Sequence, residues 1–535
     1  MSDWWKGAVI YQIYPRSFKD SNNNGVGDLT GITQKLEYVQ SLGVDAIWIS
    51  PFFKSPMNDF GYDISDYREV DPLFGSLDDF KNLLAKAHSL KLKVIIDQVI
   101  SHCSNEHEWF AQSRQNRTND KADWFVWADP NEQGGPPNNW LSFFGGSAWT
   151  FDDRRGQYYL HNFLSNQPDL NFHNEAVQAA QLENLKFWLD LGVDGFRLDV
   201  ANFYFHDKQL RDNPVFPEGE RSTVGVTDSN PYARQSHIHS ITQIENIAFI
   251  AKLRALTEQY PDITTMGEIN GEHSLDIMAD YTAGDKRLHM AYTFDLLGDA
   301  CSKQVVESVA EEFNQTLKDG WACWALSNHD VQRVVSRWNQ GDAHPDFALA
   351  AMALLLSLKG SVCMYQGEEL GLSESDVEFD DLQDPYGKPF WPEYKGRDGC
   401  RTPIIWDEAE AFGGFSEVKP WLPIDKQQLQ LSVKRQQQNP SSMLNKTRRL
   451  VKWRNQQNAL RDGEFTLLDL PKVLAWLRTS ENQQMLVVIN LTPEQAEVEL
   501  PFANIHVHAN SDFQPVLEGQ HLSLPPYQVL FADVQ

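Results

Sequence analysis

The sequence predicts an α/β protein built on a (β/α)8 barrel. Short apolar or β-branched segments alternate with helical segments over residues 1–450. Several of the short segments are apolar throughout, as expected of parallel strands that are covered on both faces. Eight such segments separated by helices predict a closed barrel of parallel strands.

The candidate strands are Val9–Tyr14, Ala46–Ser50, Val94–Ile100, Gly195–Val200, Thr265–Ile269, Ala291–Leu296, Trp324–Ser327 and Val362–Gln366. Between them, Ile32–Leu42 and Ala176–Leu191 have apolar residues at helical spacing. Both end in Leu-Gly-Val-Asp, which places Gly43 and Gly192 just past the helix end, where a left-handed backbone favours glycine. Met443–Gln456 is expected to be the last barrel helix.

Three segments are too long for plain loops. Residues 101–172 follow the third strand and are predicted to form a small inserted domain, and residues 373–439 form an insertion after the eighth strand. Residues 207–240 follow the fourth strand. The barrel itself is assigned to residues 1–100 and 173–460. All three segments leave the carboxyl ends of strands, so we expect a funnel over the barrel mouth, with surface loops as the alternative.

After the barrel the apolar pattern changes to a period of two residues. Val473–Arg478 and Met485–Asn490 flank a polar turn and predict a hairpin. Residues 464–535 are therefore expected to form a C-terminal antiparallel β-sandwich domain, in which no catalytic group is evident.

Composition excludes several classes of function. The net charge is −28, from 46 basic and 74 acidic residues, and it disfavours nucleic acid and anionic membranes as partners. The longest apolar run, Phe347–Leu356, is too short to cross a membrane and predicts a buried helix. Five scattered cysteines and an N-terminus without a signal-peptide pattern favour a cytoplasmic protein. We expect a monomer or homodimer.

Carboxylates stand at the carboxyl ends of three predicted strands. They are Asp199, Glu268 and Asp330, and Arg197 precedes Asp199 by two residues, so both side chains face the same way. Any one of them could be an ordinary ion pair or helix cap. Their convergence on one barrel mouth, together with two histidines, predicts an active site.

Paired carboxylates suit the cleavage of a glycosidic bond, which needs one ionised and one protonated carboxyl group. We expect Arg197 to lower the pKa of Asp199 and to keep it ionised. Glu268 follows Met266 and Gly267, a less polar setting that favours a carboxyl group carrying its proton.

At these residues the chain resembles glycoside hydrolase family 13, the α-amylase family, and within it the α-glucosidase and oligo-1,6-glucosidase group. The resemblance extends from Trp4 to about Leu460. It rests on four segments in this order: Asp97-Gln98-Val99-Ile100-Ser101-His102, Gly195-Phe196-Arg197-Leu198-Asp199-Val200-Ala201-Asn202, Gly267-Glu268 and Asn328-His329-Asp330. Ser101 departs from the family, which usually has Asn there.

The resemblance implies roles for the matching residues. Asp199 is the nucleophile, Glu268 the acid and then the base, and Asp330 the residue that stabilises the transition state, with retention of configuration. His102, Arg197 and His329 bind the same sugar ring. Further substrate-binding positions are Asp59 with Arg397, which pair to close the pocket, Tyr62, whose ring stacks on the sugar, and Phe144 and Phe163. The two Phe residues could instead belong to the core of the inserted domain.

Residues 20–28 place oxygen-bearing groups at alternate positions. They are Asp20, Asn22, Asn24, the carbonyl group of Val26, and Asp28. A turn held by Asn and Asp side chains, with no ion, is the alternative. The resemblance implies a structural Ca²⁺ or Mg²⁺ at this loop, and no organic cofactor is expected.

The expected function is a retaining, exo-acting α-glucosidase that releases α-glucose from short α-1,6- or α-1,4-glucosides, with transfer to other acceptors as a side reaction. In the resembling group, valine at the position of Val200 accompanies α-1,6 cleavage. Two alternatives remain open. One is a glucosyl isomerase of the same family, of the trehalose or isomaltulose synthase type, and the other is a non-catalytic accessory subunit.

Overall fold

The computed structural model describes residues 3–217, 226, 229–317, 319–339, 344–508 and 512–535. Its centre is a barrel of eight parallel strands, and all eight predicted strands are confirmed with small shifts of their ends. The barrel strands are Val9–Ile13, Ala46–Ile49, Lys93–Gln98, Gly195–Leu198, Thr264–Ile269, Met290–Thr293, Cys323–Ala325 and Ser361–Tyr365.

Each barrel strand pairs with its neighbours in chain order, and the first strand pairs with both the second and the eighth. A parallel bridge between Ala291 and Ala322 joins the sixth and seventh strands, with the Ala291 N–H donating to the carbonyl of Trp321 at 3.2 Å. The sheet is therefore closed. Apolar side chains fill both its interior and its outer face, which explains the continuous apolar runs.

Helices cover the outside of the barrel. The α-helices are Leu29–Ser41, Leu77–Ser89, Glu108–Ser113, Glu175–Leu191, Asn246–Thr257, Ser274–Thr282, Lys303–Thr316, Val334–Asn339, Phe347–Ser357, Gly387–Phe390, Val433–Gln438, Met443–Arg454 and Asn458–Asp462. Short 3-10 helices are Pro15–Ser17, Pro231–Arg234, Glu368–Leu370, Phe379–Asp381, Asp398–Arg401, Ala411–Gly414 and Lys426–Leu431.

The predicted helix signals are confirmed. Gly43 and Gly192 have φ of 84° and 101°, the left-handed conformation expected just past a helix end. The Ser442 side chain accepts from the backbone N–H of Asn445 and caps the last long helix. Phe347–Ser357 is buried along its length. Among the described residues, no helix has the length and apolar character needed to cross a membrane.

The loops at the carboxyl end of the barrel carry additional structure. A two-stranded ribbon, Phe53–Lys54 with Asp66–Val70, follows the second strand. After the third strand, Trp127–Ala128, Trp149–Asp152 and Gln157–Leu160 form a three-stranded antiparallel sheet with its own small core. Of the predicted excursion 207–240, residues 218–225 and 227–228 lie outside the described residues.

Two antiparallel sheets follow the barrel, and the predicted hairpin is confirmed as the pairing of Leu474–Ser480 with Gln483–Ile489. Apolar side chains of both sheets meet in one cluster. The five strands of one sheet are, in spatial order, Glu464–Leu467, Leu474–Ser480, Gln483–Ile489, Val529–Val534 and Ile505–Val507. The three strands of the other sheet are Ala496–Glu499, His521–Leu524 and Val516–Glu518.

A buried arginine fastens the hairpin to the barrel. Arg478 is fully buried, and its Nη1 donates to the carbonyls of Ser357 at 2.8 Å and Leu358 at 2.7 Å, at the end of a barrel helix. Its Nη2 donates to the carbonyl of Gly463 at 2.9 Å. Burial lowers the pKa of Arg478 to about 9.

Replacing Arg478 by alanine is expected to lower the free energy of unfolding by about 3 kcal/mol, because buried carbonyl groups lose their donors and a cavity opens. Chemical and thermal unfolding curves measure the change. The matched control is Arg449→Ala, which removes a more exposed ion pair with Asp512 and should cost less than about 1 kcal/mol. Equal losses in the two variants would contradict this account.

Candidate active site

A buried guanidinium group joins three carboxylates at the mouth of the barrel. Arg197 is fully buried on the fourth strand, and its Nη1 lies 2.7 Å from Asp199 Oδ1 and 2.9 Å from Asp97 Oδ1. Its Nη2 lies 2.7 Å from Glu268 Oε1. Burial by itself lowers the pKa of Arg197, but the carboxylates of Asp97 and Glu268 raise it well above its ordinary value. The charge of this group is therefore permanent.

We expected a net lowering of the pKa of Asp199 by Arg197, and this expectation is wrong, because the pKa is raised. Burial raises the pKa of Asp199 well above its ordinary value, and the negative charges of Glu268 and Asp97 raise it further. Arg197 lowers it, as expected, but does not outweigh burial. The sequence shows the nearby cation in the same strand, but not the loss of water or the carboxylates of the neighbouring strands.

The surroundings of Glu268 also differ from the expectation of a less polar setting. Its Oε1 contacts Arg197 and accepts from the hydroxyl of Tyr292 at 2.8 Å. Its Oε2 accepts from the backbone N–H of Val200 at 2.9 Å. The neighbouring strand and the loop after Asp199 therefore supply polar partners. Val200 makes its contact with a φ of 36°, a rare conformation for a β-branched residue.

Asp330 lies among cationic groups of the insertion after the eighth strand. Its Oδ1 is 3.1 Å from Arg397 Nη1 and 3.1 Å from Arg401 Nη2. Burial alone raises the pKa of Asp330, but His329, Arg397 and Arg401 together bring it below its ordinary value. Asp330 therefore stays ionised. Burial lowers the pKa of His329 to about 3.

Arg397 ties the insertion to the loop after the second strand. Its Nη2 donates to Asp59 Oδ1 at 2.9 Å and to Asp384 Oδ1 at 2.8 Å. Asp384 Oδ2 also accepts from Arg397 Nε at 3.0 Å. Burial raises the pKa of Asp59 to about 6, and Arg397 opposes the rise. The predicted pairing of Asp59 with Arg397 is thus present, and Asp384 is a partner that we did not predict.

Tyr62 and His102 complete one side of the site. The Tyr62 hydroxyl donates to Asp97 Oδ2 at 3.1 Å, and its ring stacks on that of His329 at 5.3 Å. His102 Nε2 lies 3.0 Å from the carbonyl of Tyr62. Ser101, the departure from the family, places its Oγ 2.8 Å from His102 Nδ1 and so makes its own local hydrogen bond.

These side chains surround one cavity, whose empty space is about 680 Å³ when the part open to solvent is included. Most of the predicted residues line it directly: Asp59, Tyr62, His102, Phe144, Phe163, Asp199, Glu268, Asp330 and Arg397. Arg197 and His329 are fully buried and act on the cavity through the groups that they contact. Phe144 and Phe163 belong to the cavity wall as well as to the inserted segment.

Several lining residues were not predicted. They are Phe143, Gln167, Phe203, Asn270, Phe294 and Tyr386, whereas Val200, which the sequence connects with linkage preference, also lines the cavity. Gln167 donates from Nε2 to Asp59 Oδ2 at 3.1 Å. Phe143 and Tyr386 lie in the segments after the third and eighth strands, where the aromatic content predicted a funnel. Asn270 follows Glu268 by two residues, so its position near the strand end was the available signal.

The loop 20–28 curls around its own side chains. Asp20 accepts from the backbone N–H groups of Asn22, Asn23 and Gly25, and from the hydroxyl of Ser416. The side-chain oxygens of Asn22, Asn24 and Asp28 each accept at least one backbone N–H, which is the Asx-turn pattern. No group of three or more His, Cys, Asp or Glu residues suited to a metal occurs among the described residues. This loop offers two carboxylates.

Two known domain families match this chain along nearly its whole length. Residues 12–463 match the α-amylase catalytic domain family, and residues 464–530 match the C-terminal domain of maltogenic amylases. The chain is 49% identical over 537 residues to a probable α-glucosidase of Rhizobium meliloti strain 1021, covering 99% of this chain and 97% of that protein. It is 36% identical over 541 residues to an oligo-1,6-glucosidase of Heyndrickxia coagulans, covering 94% and 95%.

Solved structures agree. An α-glucosyl transfer enzyme, XgtA, has a TM-score of 0.98 and 54% identity, with both chains covered completely. The trehalulose synthase MutB of Pseudomonas mesoacidophila MX-45 has a TM-score of 0.89 and 33% identity, also over both complete chains. The protein therefore belongs to glycoside hydrolase family 13, the α-amylase family, and the resemblance is confirmed.

The buried carboxyl group of Asp169 lies next to the cavity wall, and its pKa predicts how the stability of the protein depends on pH. Asp169 Oδ2 accepts from the backbone N–H of Asn162 at 3.1 Å and from its Nδ2 at 2.5 Å. Burial raises the pKa of Asp169 to about 8, although these hydrogen bonds lower it. In the unfolded chain an aspartate titrates near pH 4. The stabilisation from this group is therefore complete below about pH 4 and is lost as the pH rises towards 8.

Replacing Asp169 by asparagine should flatten the pH dependence of stability. The free energy of unfolding of the wild type should decrease relative to the variant by up to about 1.4 kcal/mol per pH unit between pH 5 and pH 8. Unfolding curves at several pH values measure the difference. The exposed Asp153→Asn is the control. If the wild type and Asp169→Asn kept a constant difference across this range, the assignment would be wrong.

Proposed function

We propose that the protein is a retaining, exo-acting α-glucosidase that releases α-glucose from the non-reducing end of short α-glucosides. The observation that carries this proposal is the cavity itself. Its floor presents Asp199 and Glu268, which share one guanidinium group, and its far end is closed by the ion pair of Asp59 and Arg397.

The reaction follows from these carboxyl groups in two steps. Asp199 attacks the anomeric carbon, the bond to the leaving oxygen breaks, and Glu268 transfers its proton to that oxygen. A water molecule then gives its proton to Glu268 and displaces Asp199 from the sugar. Two inversions retain the α configuration. The negative charge of Glu268 is one cause of the raised pKa of Asp199, so a proton on Glu268 favours the ionised Asp199 that the first step needs.

Asp330 suits the role of stabilising the transition state, because it stays ionised beside the cavity. The reacting sugar ring develops positive charge, and a fixed carboxylate stabilises that charge. The ring of Tyr62, stacked on His329 and held by its hydroxyl group, suits contact with a sugar face.

The closed end supports action on chain ends. Arg397 spans Asp59 and Asp330, and Asp384 holds it from the other side. These ionic groups suit the hydroxyls of a terminal glucose. A polysaccharide that passes through the site would have to break this buried network, which costs several kcal/mol.

The similarity to relatives and the identity of Val200 support a proposal for the cleaved linkage and for the acceptor of the glucosyl group. Val200 packs with Phe203 and Ile241 beside the cavity, and in the resembling group valine here accompanies α-1,6 cleavage. The similarity to an oligo-1,6-glucosidase agrees with this preference, and the similarity to an α-glucosyl transfer enzyme supports transfer to acceptors other than water. A glucosyl isomerase is the second candidate, because a trehalulose synthase shares the fold.

We further propose a cytoplasmic location and a weak structural cation. All five cysteines are free, which suits a reducing compartment. In the loop 20–28, Asp20, Asn22, Asn24, Asp28 and the carbonyl of Val26 would hold a Ca²⁺ or Mg²⁺ ion, which would replace some of the hydrogen bonds that the two carboxylates accept. The ion would stabilise the loop that leads into the helix Leu29–Ser41.

Treatment with 5-fluoro-α-glucosyl fluoride should label Asp199 covalently, because the fluorine slows breakdown of the glucosyl-enzyme more than its formation. Digestion and mass spectrometry locate the label. Asp199→Asn should remain unlabelled and lose at least about 10⁴-fold in kcat/KM. A label on another residue would refute the proposed nucleophile.

Glucose release should be substantial from isomaltose, maltose and maltotriose and very low from an equal mass of starch, because the cavity admits one terminal sugar and starch has few chain ends. Chromatography of the products measures all four substrates in parallel. The products formed from sucrose and maltose also distinguish the two reactions. Hydrolysis releases free glucose, whereas isomerisation yields a rearranged disaccharide. Starch activity above that on disaccharides would contradict the closed cavity.

Millimolar Ca²⁺ or Mg²⁺ should raise the midpoint temperature of thermal unfolding relative to protein in EDTA, because the ion binds only the folded loop. Calorimetry measures the shift. Asn22→Ala should abolish it, and Asn105→Ala, outside the loop, should not. An identical midpoint with and without either ion would contradict the cation proposal.

A further inference from the structure

A buried phenol on the sixth strand contacts both the central arginine and the proposed acid. Tyr292 is 2% exposed, and its hydroxyl lies 2.7 Å from Arg197 Nη2 and 2.8 Å from Glu268 Oε1. Its ring packs near Trp48 and Phe294, with centroids 6.1 and 6.2 Å away. Tyr292 is buried beneath the cavity, so it acts on the reaction through another residue.

The chemistry of the three groups fixes the direction of each hydrogen bond. A guanidinium group has only donors, so Arg197 Nη2 and Nε donate to the phenol oxygen, at 2.7 and 3.2 Å. The single hydroxyl proton of Tyr292 must then point to Glu268 Oε1. Burial raises the pKa of Tyr292 well above its ordinary value, so the phenol keeps that proton.

We propose that Tyr292 is a positioning residue that fixes the orientation and the protonation pattern of Glu268. The inference rests on the proposed function, in which Glu268 is the acid and base. Glu268 Oε1 accepts from the Tyr292 hydroxyl and lies 2.7 Å from the cationic Arg197 Nη2, whereas Oε2 accepts from the neutral backbone N–H of Val200. The acid proton is therefore directed to Oε2, while Oε1 is held in place.

Removing the Tyr292 hydroxyl takes away the hydrogen bond that holds Glu268 Oε1 in place. The carboxyl group of Glu268 is then free to turn, and its proton is no longer directed at the leaving oxygen. The loss therefore falls on substrates whose leaving group depends on that proton.

The test is Tyr292→Phe, which keeps the ring and its packing. With methyl α-glucoside or isomaltose, whose leaving groups need a proton, kcat/KM should fall about tenfold or more. With 4-nitrophenyl α-glucoside, whose leaving group needs little proton donation, it should fall about threefold or less.

Tyr11→Phe is the matched control, because it also removes a buried phenol–carboxylate hydrogen bond from a barrel strand. The Tyr11 hydroxyl donates to Glu369 Oε1 at 2.7 Å, away from the cavity, and Tyr38 still donates to the same oxygen at 2.6 Å. This variant should keep the wild-type rate and pH profile. If Tyr292→Phe lost the same factor on both types of substrate, Tyr292 would be structural only.

A double-mutant cycle with Glu268→Gln separates this inference from the proposed function. If Glu268→Gln kept full activity, the assignment of Glu268 itself would fail. If it lost activity and Tyr292→Phe then removed as much again in that background, the coupling between the two residues would be absent and only the inference would fail. The expected result is little further loss, since Tyr292 acts through Glu268.

Discussion

A single buried guanidinium group holds the active site together. Arg197 has no contact with solvent and balances carboxylates from the third, fourth and fifth strands. The register of the barrel makes this arrangement possible, because Asp97 lies directly opposite Arg197 on the neighbouring strand. Carboxylates in a water-poor interior are costly unless they are paired. Without this cation, the groups needed for a double displacement could not stand so close together.

The loops add a second ionic network with a different task. Arg397 and Asp384 come from the insertion after the eighth strand, and Asp59 comes from the loop after the second. Asp59 and Arg397 meet at the cavity and line it, together with Phe144 and Phe163 of the inserted segment. The strands thus supply the groups for bond cleavage, and the loops decide which end of a substrate can enter.

Much of this arrangement was predictable because it is local in sequence. The strands are apolar runs, and Asp199, Glu268 and Asp330 stand where such runs end. The wrong expectations, for the pKa of Asp199 and the surroundings of Glu268, concern contacts with residues that are distant in sequence. The pKa of Asp199 is raised by burial and by Glu268 and Asp97, and Glu268 has polar partners on another strand and in a loop. Tyr292, one aromatic residue among many in strands, carries no local signal of its contacts.

The amino-acid sequence by itself determined the barrel, the order of its strands and the identity of the carboxyl groups at its mouth, since apolar periodicity and strand ends are properties of short segments. Only the tertiary structure decided how close those groups lie to one another, that Asp330 stays charged and which loop residues line the cavity. These properties depend on distances between residues up to 338 positions apart, such as Asp59 and Arg397, and on the exclusion of water around them.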